Sequence, residues 1–554
     1  MRNEMGEGHL TPSTIGHFGL RAHGLPAATG PRGSLAPNRG GTISHAIAAG
    51  FVLVICCAAL AGARRPSSDE LPHPAGWALG GRSLGTAATC LMLGGTIYTS
   101  YTYIAVPGLM FGTGGLALYA LVYTMLLSPL IMILLPRLRD IGARHGLITA
   151  ADYVRVRHGS HPLALATALT GILATMPYLV LQVVGTAAVL RSLGLAPDGV
   201  AGCAVLGLLF LTFALVTRPG GLRACARISL VKAVLIGAAV VVLLALTLTR
   251  IGTPGHIFEL AGGRGAAMGQ SFGIPPRNFS AYATLAFGSA LAQLMYPQVL
   301  LVAMASKSKD TLRAATTFLP AWSMTLGIWA FFGIAALAAG VRTSAGHGEL
   351  AVPALVRELA PDWLAGLLFG ALAVAGLLPA VVMAMSMSML FVRNIYVEYL
   401  NPTATPKHEV RVARGPALAI MAGAIVFAML MKPQDAINLH LLGGVWILQV
   451  LPAVAVSLFT RWFHRRALFL GWALGMVSGT GLLGLRGFST VVDIGVGAVH
   501  APVYVAVIAL ALNLAVAALL TPLLDALGVP RGTDGTAGGA VSGRRGSKYA
   551  FVVE

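Results

Sequence analysis

The sequence predicts an all-α polytopic membrane protein of about 13 transmembrane helices, and three observations carry that prediction. Of 554 residues, 56% are hydrophobic and only 10% are charged, whereas soluble domains carry roughly a quarter charged residues. Residues 86–136 contain no Asp, Glu, Lys or Arg, and about 20 apolar residues already make one crossing. Two apolar runs lying five helices apart are interrupted by glycine, proline and hydroxyl-bearing residues, which suggests a 5+5 repeat. The net charge of +19 belongs to the loops, because no basic run is interleaved with aromatics as nucleic-acid binding requires. The five cysteines lack metal-ligand or redox spacing and read as buried small hydrophobes.

Taken in order, apolar runs bounded by Arg, Lys, Pro or Gly place helices near 43–63, 86–111, 115–136, 161–190, 199–217, 226–249, 279–303, 314–340, 363–393, 415–431, 436–460, 467–485 and 500–523. The run 86–136 is too long for one crossing and is divided at Gly112-Thr113-Gly114-Gly115. Residues 86–249 and 279–460 form the two five-helix repeats. The helix at 43–63 and the two within 467–523 are additions. Residues 1–42 hold no apolar run and are expected to be disordered, and 524–554 form a cytoplasmic tail. Alternate loops collect most of the Arg and Lys, with Lys232 counted in the loop before the sixth helix. That asymmetry puts the N-terminus outside and the C-terminus on the cytoplasmic side of the membrane.

The second helix reads Gly94-Gly95-Thr96-Ile97-Tyr98-Thr99-Ser100-Tyr101-Thr102-Tyr103 and closes on Pro107-Gly108; the seventh carries Gly288, Gln293, Tyr296 and Pro297. Irregular backbone at membrane depth is tolerated only where it faces protein or lines a cavity, so these segments read as a site. The candidate substrate wall is Thr99, Tyr101, Thr102 and Tyr103, with Tyr178 and Gln182 beside the kink at Pro177, Gln293 and Tyr296 from the seventh helix, and Trp446 and Gln449 from the eleventh. Gln182, Gln293 and Gln449 equally suit amide bonds between helices, and a Trp such as Trp446 is more often lipid-facing or core than a lid. Asp152 and Arg157 read as a cytoplasmic structural pair. No ionised side chain is expected in the middle of a span, so an anionic substrate and a cation would neutralise one another in a neutral pocket. An enzyme would want a nucleophile, metal cluster or paired carboxylates inside the spans, and a channel a repeated filter loop; neither pattern is present. The partners expected are a small organic anion and the lipid bilayer, with no obligate protein partner and no cofactor beyond a co-transported cation.

Several of these residues have a familiar order. Gly80-Gly81-Arg82-Ser83, Val106-Pro107-Gly108, Ile148-Thr149-Ala150-Ala151-Asp152-Tyr153 with Arg157-His158-Gly159, and Arg393-Asn394-Ile395-Tyr396-Val397-Glu398-Tyr399 resemble the sodium:solute symporter family. Met176-Pro177-Tyr178 with Gln182, Gly288-Ser289-Ala290-Leu291-Ala292, Tyr296-Pro297, Leu378-Pro379-Ala380 and Leu442-Gly443-Gly444-Val445-Trp446-Ile447-Leu448-Gln449 are similar to its monocarboxylate-permease branch. The resemblance implies a LeuT-like inverted-repeat core with a broken first helix in each repeat, alternating access, and cation-coupled uptake of a monocarboxylate such as acetate, propionate, pyruvate or lactate. An amino acid or other small zwitterion is the alternative substrate. It also implies cation-binding carbonyls at Gly95, Tyr98 and Ala375. The family's two hydroxyl ligands fall on Leu378 and Pro379, which have no side-chain oxygen, so both Na⁺ and H⁺ stay open as the co-transported cation. Where the branch usually has His after Tyr-Pro, this chain has Gln298.

Overall fold

The computed structural model describes residues 45–63, 73–194, 200–267, 271–343, 347–430, 438–496 and 499–537. The expectations for 1–42 and for the tail beyond 537 lie outside the described residues. In chain order the helices are α1 (His45–Ala63), α2 (Pro74–Leu79), α3 (Thr86–Ile97), α4 (Val106–Thr113), α5 (Tyr119–Arg144), α6 (Ala150–His158), α7 (His161–Leu193), α8 (Val200–Thr217), α9 (Gly221–Arg250) and α10 (Pro254–Ala267). They continue with α11 (Phe279–Met295), α12 (Pro297–Ala305), α13 (Lys309–Thr316), α14 (Leu319–Ala338), α15 (Ala351–Leu359), α16 (Asp362–Phe391), α17 (Pro406–Leu430), α18 (Leu439–Ile447), α19 (Leu451–Val454), α20 (Arg465–Leu485) and α21 (Val505–Ala526). Among the described residues, 10 helices are long and apolar enough to cross a membrane, or 11 if the bent pair at α11 and α12 is one span. The expected 13 exceeds this count; Thr86–Ile97 and Gly202–Thr217 are apolar but shorter.

α7 and α16 form the centre of the bundle, and α16 is buried along 94% of its apolar window. α1, α9, α7 and α17 pack against α16. Large apolar side chains on outer faces, such as Leu208, Val234, Val477 and Leu519, are exposed and suit contact with lipid. α20 and α21 pair with each other at the edge. Between them the chain makes an antiparallel hairpin, β1 (Val491–Val496) with β2 (Val499–Tyr504). The expected helix at 500–523 therefore begins only at Val505. The hairpin's Val-rich alternation favours strand, and it ends by placing the Tyr504 hydroxyl on the Leu441 carbonyl, 2.6 Å away.

Connections outside the spans are well specified locally. Thr149 and Asp152 form a capping box at the start of α6, and Gly159 ends that helix in the left-handed region at φ 57°. Ser308 caps α13 through the Thr311 N–H. The Asp152 carboxylate accepts from the Ile148 and Thr149 N–H groups (3.0 and 3.2 Å) and from Asn394 Nδ2 (2.9 Å). It also lies 3.5 Å from buried Arg393 Nε, while Arg393 Nη1 reaches Glu409 at 3.1 Å. The expected Asp152–Arg157 pair is thus corrected. Arg157 binds Asp534 of the C-terminal segment at 2.7 Å and donates to the carbonyls of Ser457 and Thr460. The reason is direction: Arg157 and Asp152 are five residues apart on α6, so they project from different faces.

Removing the Asp152 carboxylate strands two N–H groups and takes one carboxylate from a buried guanidinium, a cost of about 3–5 kcal/mol. The Asp152→Ala protein in detergent should melt several degrees below wild type, with Asp152→Asn in between. Equal melting temperatures would show that this junction does not stabilise the fold.

Candidate transport site

The first break is built from small residues. α3 ends at Ile97, and Tyr98 turns extended at φ −90°, ψ 100°. The chain resumes helix as a single π turn over Tyr101–Ala105 before α4. Ser100 sits against two glycines: a Cβ on Gly185 of α7 would fall 2.5 Å from Ser100 Cβ, and one on Gly376 of α16 would fall 2.5 Å from Ser100 Oγ. Gly95 likewise faces Ser229 of α9, where a Cβ would come within 2.6 Å of its Oγ. These three glycines let the unwound segment lie against α7, α9 and α16 at once.

A helix end leaves carbonyls without intrahelical partners, and here those carbonyls meet an ammonium group. Lys232 Nζ, fully buried, donates to the carbonyl oxygens of Gly95 at 2.8 Å, Tyr98 at 2.7 Å and Ala375 at 3.0 Å. Gly95 and Tyr98 are free because α3 stops. Ala375 is free because its helical partner four residues on is Pro379, which has no N–H. Three ammonium hydrogens thus meet three carbonyls. The Tyr103 ring lies 5.6 Å from the same nitrogen, within cation–π range. The three carbonyls expected to bind a cation do converge, but on a side chain of the protein itself.

That geometry overturns two expectations: Lys232 is not a loop residue, and the spans are not free of ionisable side chains. α9 begins at Gly221, five residues before the expected start, so Lys232 lies about 16 Å along it. His440 is the second ionisable residue missed. It is buried on α18, inside four phenol rings: Tyr101 and Tyr178 at 4.6 Å between centroids, Tyr296 at 5.8 Å and Tyr123 at 5.9 Å.

The second break supplies part of this cage. Tyr296 is extended at φ −60°, ψ 135°, between α11 and α12, and the two helices are bent by 54°. Its hydroxyl donates to the His440 carbonyl at 3.1 Å, and its ring lies 5.1 Å from that of Tyr178. Tyr178 donates to the Ile97 carbonyl at 3.3 Å. Gln182 accepts from the Ser100 N–H at 3.0 Å and donates to Thr99 Oγ1 at 3.3 Å. Thr99 Oγ1 also accepts from the Tyr101 N–H, while the Tyr101 hydroxyl pairs with that of Tyr119 at 2.6 Å. The two breaks are therefore joined through Thr99, Tyr178, Gln182 and His440.

The structure brings together Thr99, Tyr101, Tyr178, Gln182 and Tyr296 in this network, and Thr102, Tyr103 and Gln293 are buried on the same broken helices. It does not bring in the two candidates from the eleventh span. Trp446 is half-buried and donates to Thr480 of α20. Gln449 receives Asn513 Nδ2 of α21 at 3.2 Å and donates to its own helix at Val445. Both project toward α20 and α21, so they are corrected to roles in helix packing.

Several buried polar atoms near the breaks have no hydrogen-bond partner among the described residues. These are Ser100 Oγ, Tyr103 Oη, Ser289 Oγ, Trp329 Nε1, His440 Nδ1 and both amide atoms of Gln293 and Gln298. Buried polar groups are nearly always satisfied, so such a concentration points to groups held ready for a solute or water.

Comparisons with known proteins agree with this architecture. A monocarboxylate transport permease protein of Rhizobium johnstonii is 37% identical over 477 residues, covering 86% of this chain and 96% of that protein. The uncharacterized symporter YodF of Bacillus subtilis is 28% identical over 429 residues, covering 76% and 84%. A sodium-coupled sialic acid symporter, solved in a substrate-bound outward-open state, superposes with a TM-score of 0.71 at 15% identity, over 87% of this chain and 98% of that one. The sequence pattern of the sodium:solute symporter family matches residues 77–479, and the chain belongs to that family.

Proposed function

We propose that the protein is a secondary active symporter that carries a small monocarboxylate with a cation by alternating access. Family membership supports a cation-coupled symporter, and the permease relative supports the substrate class. The observation that carries the reading is the set of unpartnered buried polar atoms beside the aromatic cage of His440. A short carboxylic acid offers one end to amide, phenol and imidazole groups and an apolar remainder to ring faces, which is the pairing these residues present. In this reading Tyr103, Gln293 and His440 face the solute. Thr99, Tyr101, Tyr178, Gln182 and Tyr296 hold the two breaks together, and Thr102 belongs to the same wall.

A narrow apolar crevice of ≈ 20 Å³ beside the second break is lined by Thr149, Gly171, Met295, Pro297, Ser386 and Leu390; its widening would open a way for solute toward the cytoplasm. Division into repeats at 86–249 and 279–460, 13 crossings, an outside N-terminus and a bacterial plasma-membrane location complete the proposal.

Reconstituted in liposomes, the protein should give saturable uptake of labelled pyruvate, lactate, propionate or acetate above that of protein-free vesicles. Uptake competed only by amino acids would transfer the reading to a zwitterion carrier, and no carboxylate uptake at all would refute it. Gln293→Leu separates function from folding. An unsatisfied buried amide costs about 1–3 kcal/mol, so this variant should be at least as stable as wild type yet lose most uptake. Gln449→Ala should do the reverse, lowering the melting temperature while each folded molecule transports normally. The opposite pattern in the pair would exchange the two assignments.

A further inference from the structure

A sodium site of the kind the family implies requires three things at the first break: free carbonyls, hydroxyl ligands and room for an ion. The carbonyls of Gly95, Tyr98 and Ala375 are present but are engaged by Lys232 Nζ. The two hydroxyl positions are Leu378 and Pro379, both buried in α16 and neither with a side-chain oxygen. Leu378 also packs close to Gly95, where a Cβ would meet its Cδ2 at 3.3 Å. The ammonium nitrogen stands at hydrogen-bond distance from every oxygen that would otherwise coordinate an ion, and a second positive charge beside it would be repelled. The residues present therefore do not fit sodium.

The surroundings of the ammonium sharpen the point. The elements packed against α9 are α1, α2, α3, α8, α14, α15, α16 and the turn Gly80–Arg82. The ionisable groups that they, the unwound segment with its π turn and α9 itself carry are Arg82, Arg223, Arg227, Arg250 and Arg357, the exposed imidazole of His45, the thiols Cys56, Cys57, Cys90, Cys203 and Cys225, the phenols Tyr98, Tyr101 and Tyr103, and the carboxylates Glu358 and Asp362. Both carboxylates are exposed, at the end of α15 and the start of α16. Carbonyl dipoles and the face of Tyr103 are thus what Lys232 meets; the buried carboxylate of Glu349, on the turn packed against the π turn and α15, contacts His347 Nδ1 at 2.8 Å.

We infer that Lys232 is the resident cation of this transporter: it fills the position of the family's sodium ion, and the co-transported cation is the proton, carried on the substrate's own carboxyl group so that the acid crosses neutral. Sodium then neither binds at the first break nor drives uptake. This inference rests on the symporter reading above.

The test has one arm that needs no substrate. Purified wild-type protein is melted in sodium chloride and in choline chloride at equal ionic strength. The melting temperature is expected to be the same in both; stabilisation by sodium, growing with its concentration as a bound ligand requires, overturns the inference. The second arm measures labelled pyruvate in proteoliposomes against protein-free vesicles. An inside-alkaline pH gradient without sodium should drive accumulation that a protonophore abolishes, and an inward sodium gradient at equal pH should drive none. Accumulation that follows the sodium gradient overturns the inference. Lys232→Met leaves three carbonyls without a donor and should lose uptake about tenfold or more, and unimpaired uptake counts against the claim. If that variant does not fold, the wild-type arms decide alone. If no carboxylate is transported, the substrate reading falls while the melting comparison still decides the sodium claim.

Discussion

A helix that stops inside a membrane protein leaves carbonyls that neither lipid nor the next turn can satisfy. In this chain one ammonium group answers three of them, two at the end of α3 and one released from α16 by Pro379. Much of the centre follows from that junction. α9 must pass close enough to deliver Lys232, which requires glycine at 95; the unwound segment must lie between α7 and α16, which requires glycine at 185 and 376. An intramolecular cation of this kind ties together three helices that belong to both proposed repeats.

The second focus, around His440, is connected to the first by short polar links and not by a continuous hydrophobic wall. Tyr178 touches Ile97 on one side and packs on His440 and Tyr296 on the other. Gln182 has its amide fully committed to Ser100, Thr99 and its own helix, so it holds the unwound segment in register. In the proposed alternating-access cycle, a shift at one break would pull on the other through these links.

Much of this arrangement was legible in the sequence. Gly94-Gly95, the run of hydroxyls after it, and Tyr296-Pro297 marked both interruptions, because a helix facing only lipid has no use for such residues at membrane depth. Family resemblance marked the three carbonyls. Lys232 was not legible, since a basic residue near the start of an apolar run is ordinarily read as a loop residue. The expected run 226–249 already enclosed it, and the start of α9 at Gly221 sets it deeper still. The pairing of Pro379 with Ala375 four residues before it was a signal, because a proline in a charge-free helix frees that carbonyl for an outside donor. On the eleventh span the polar residues were identified but not their faces: nine residues separate His440 from Gln449, which turns them about 180° apart on a helix. One meets the cage and the other meets α21. The β hairpin was hidden by the apolar run it precedes.

The central claim is that a side chain, not an ion, occupies the oxygens of the first break. A density map of the protein in lipid nanodiscs, with sodium as the only alkali cation present, tests it most directly. The account predicts continuous side-chain density from α9 to the carbonyls of Gly95, Tyr98 and Ala375. A separate ion peak among those oxygens, with Lys232 turned elsewhere, would contradict it.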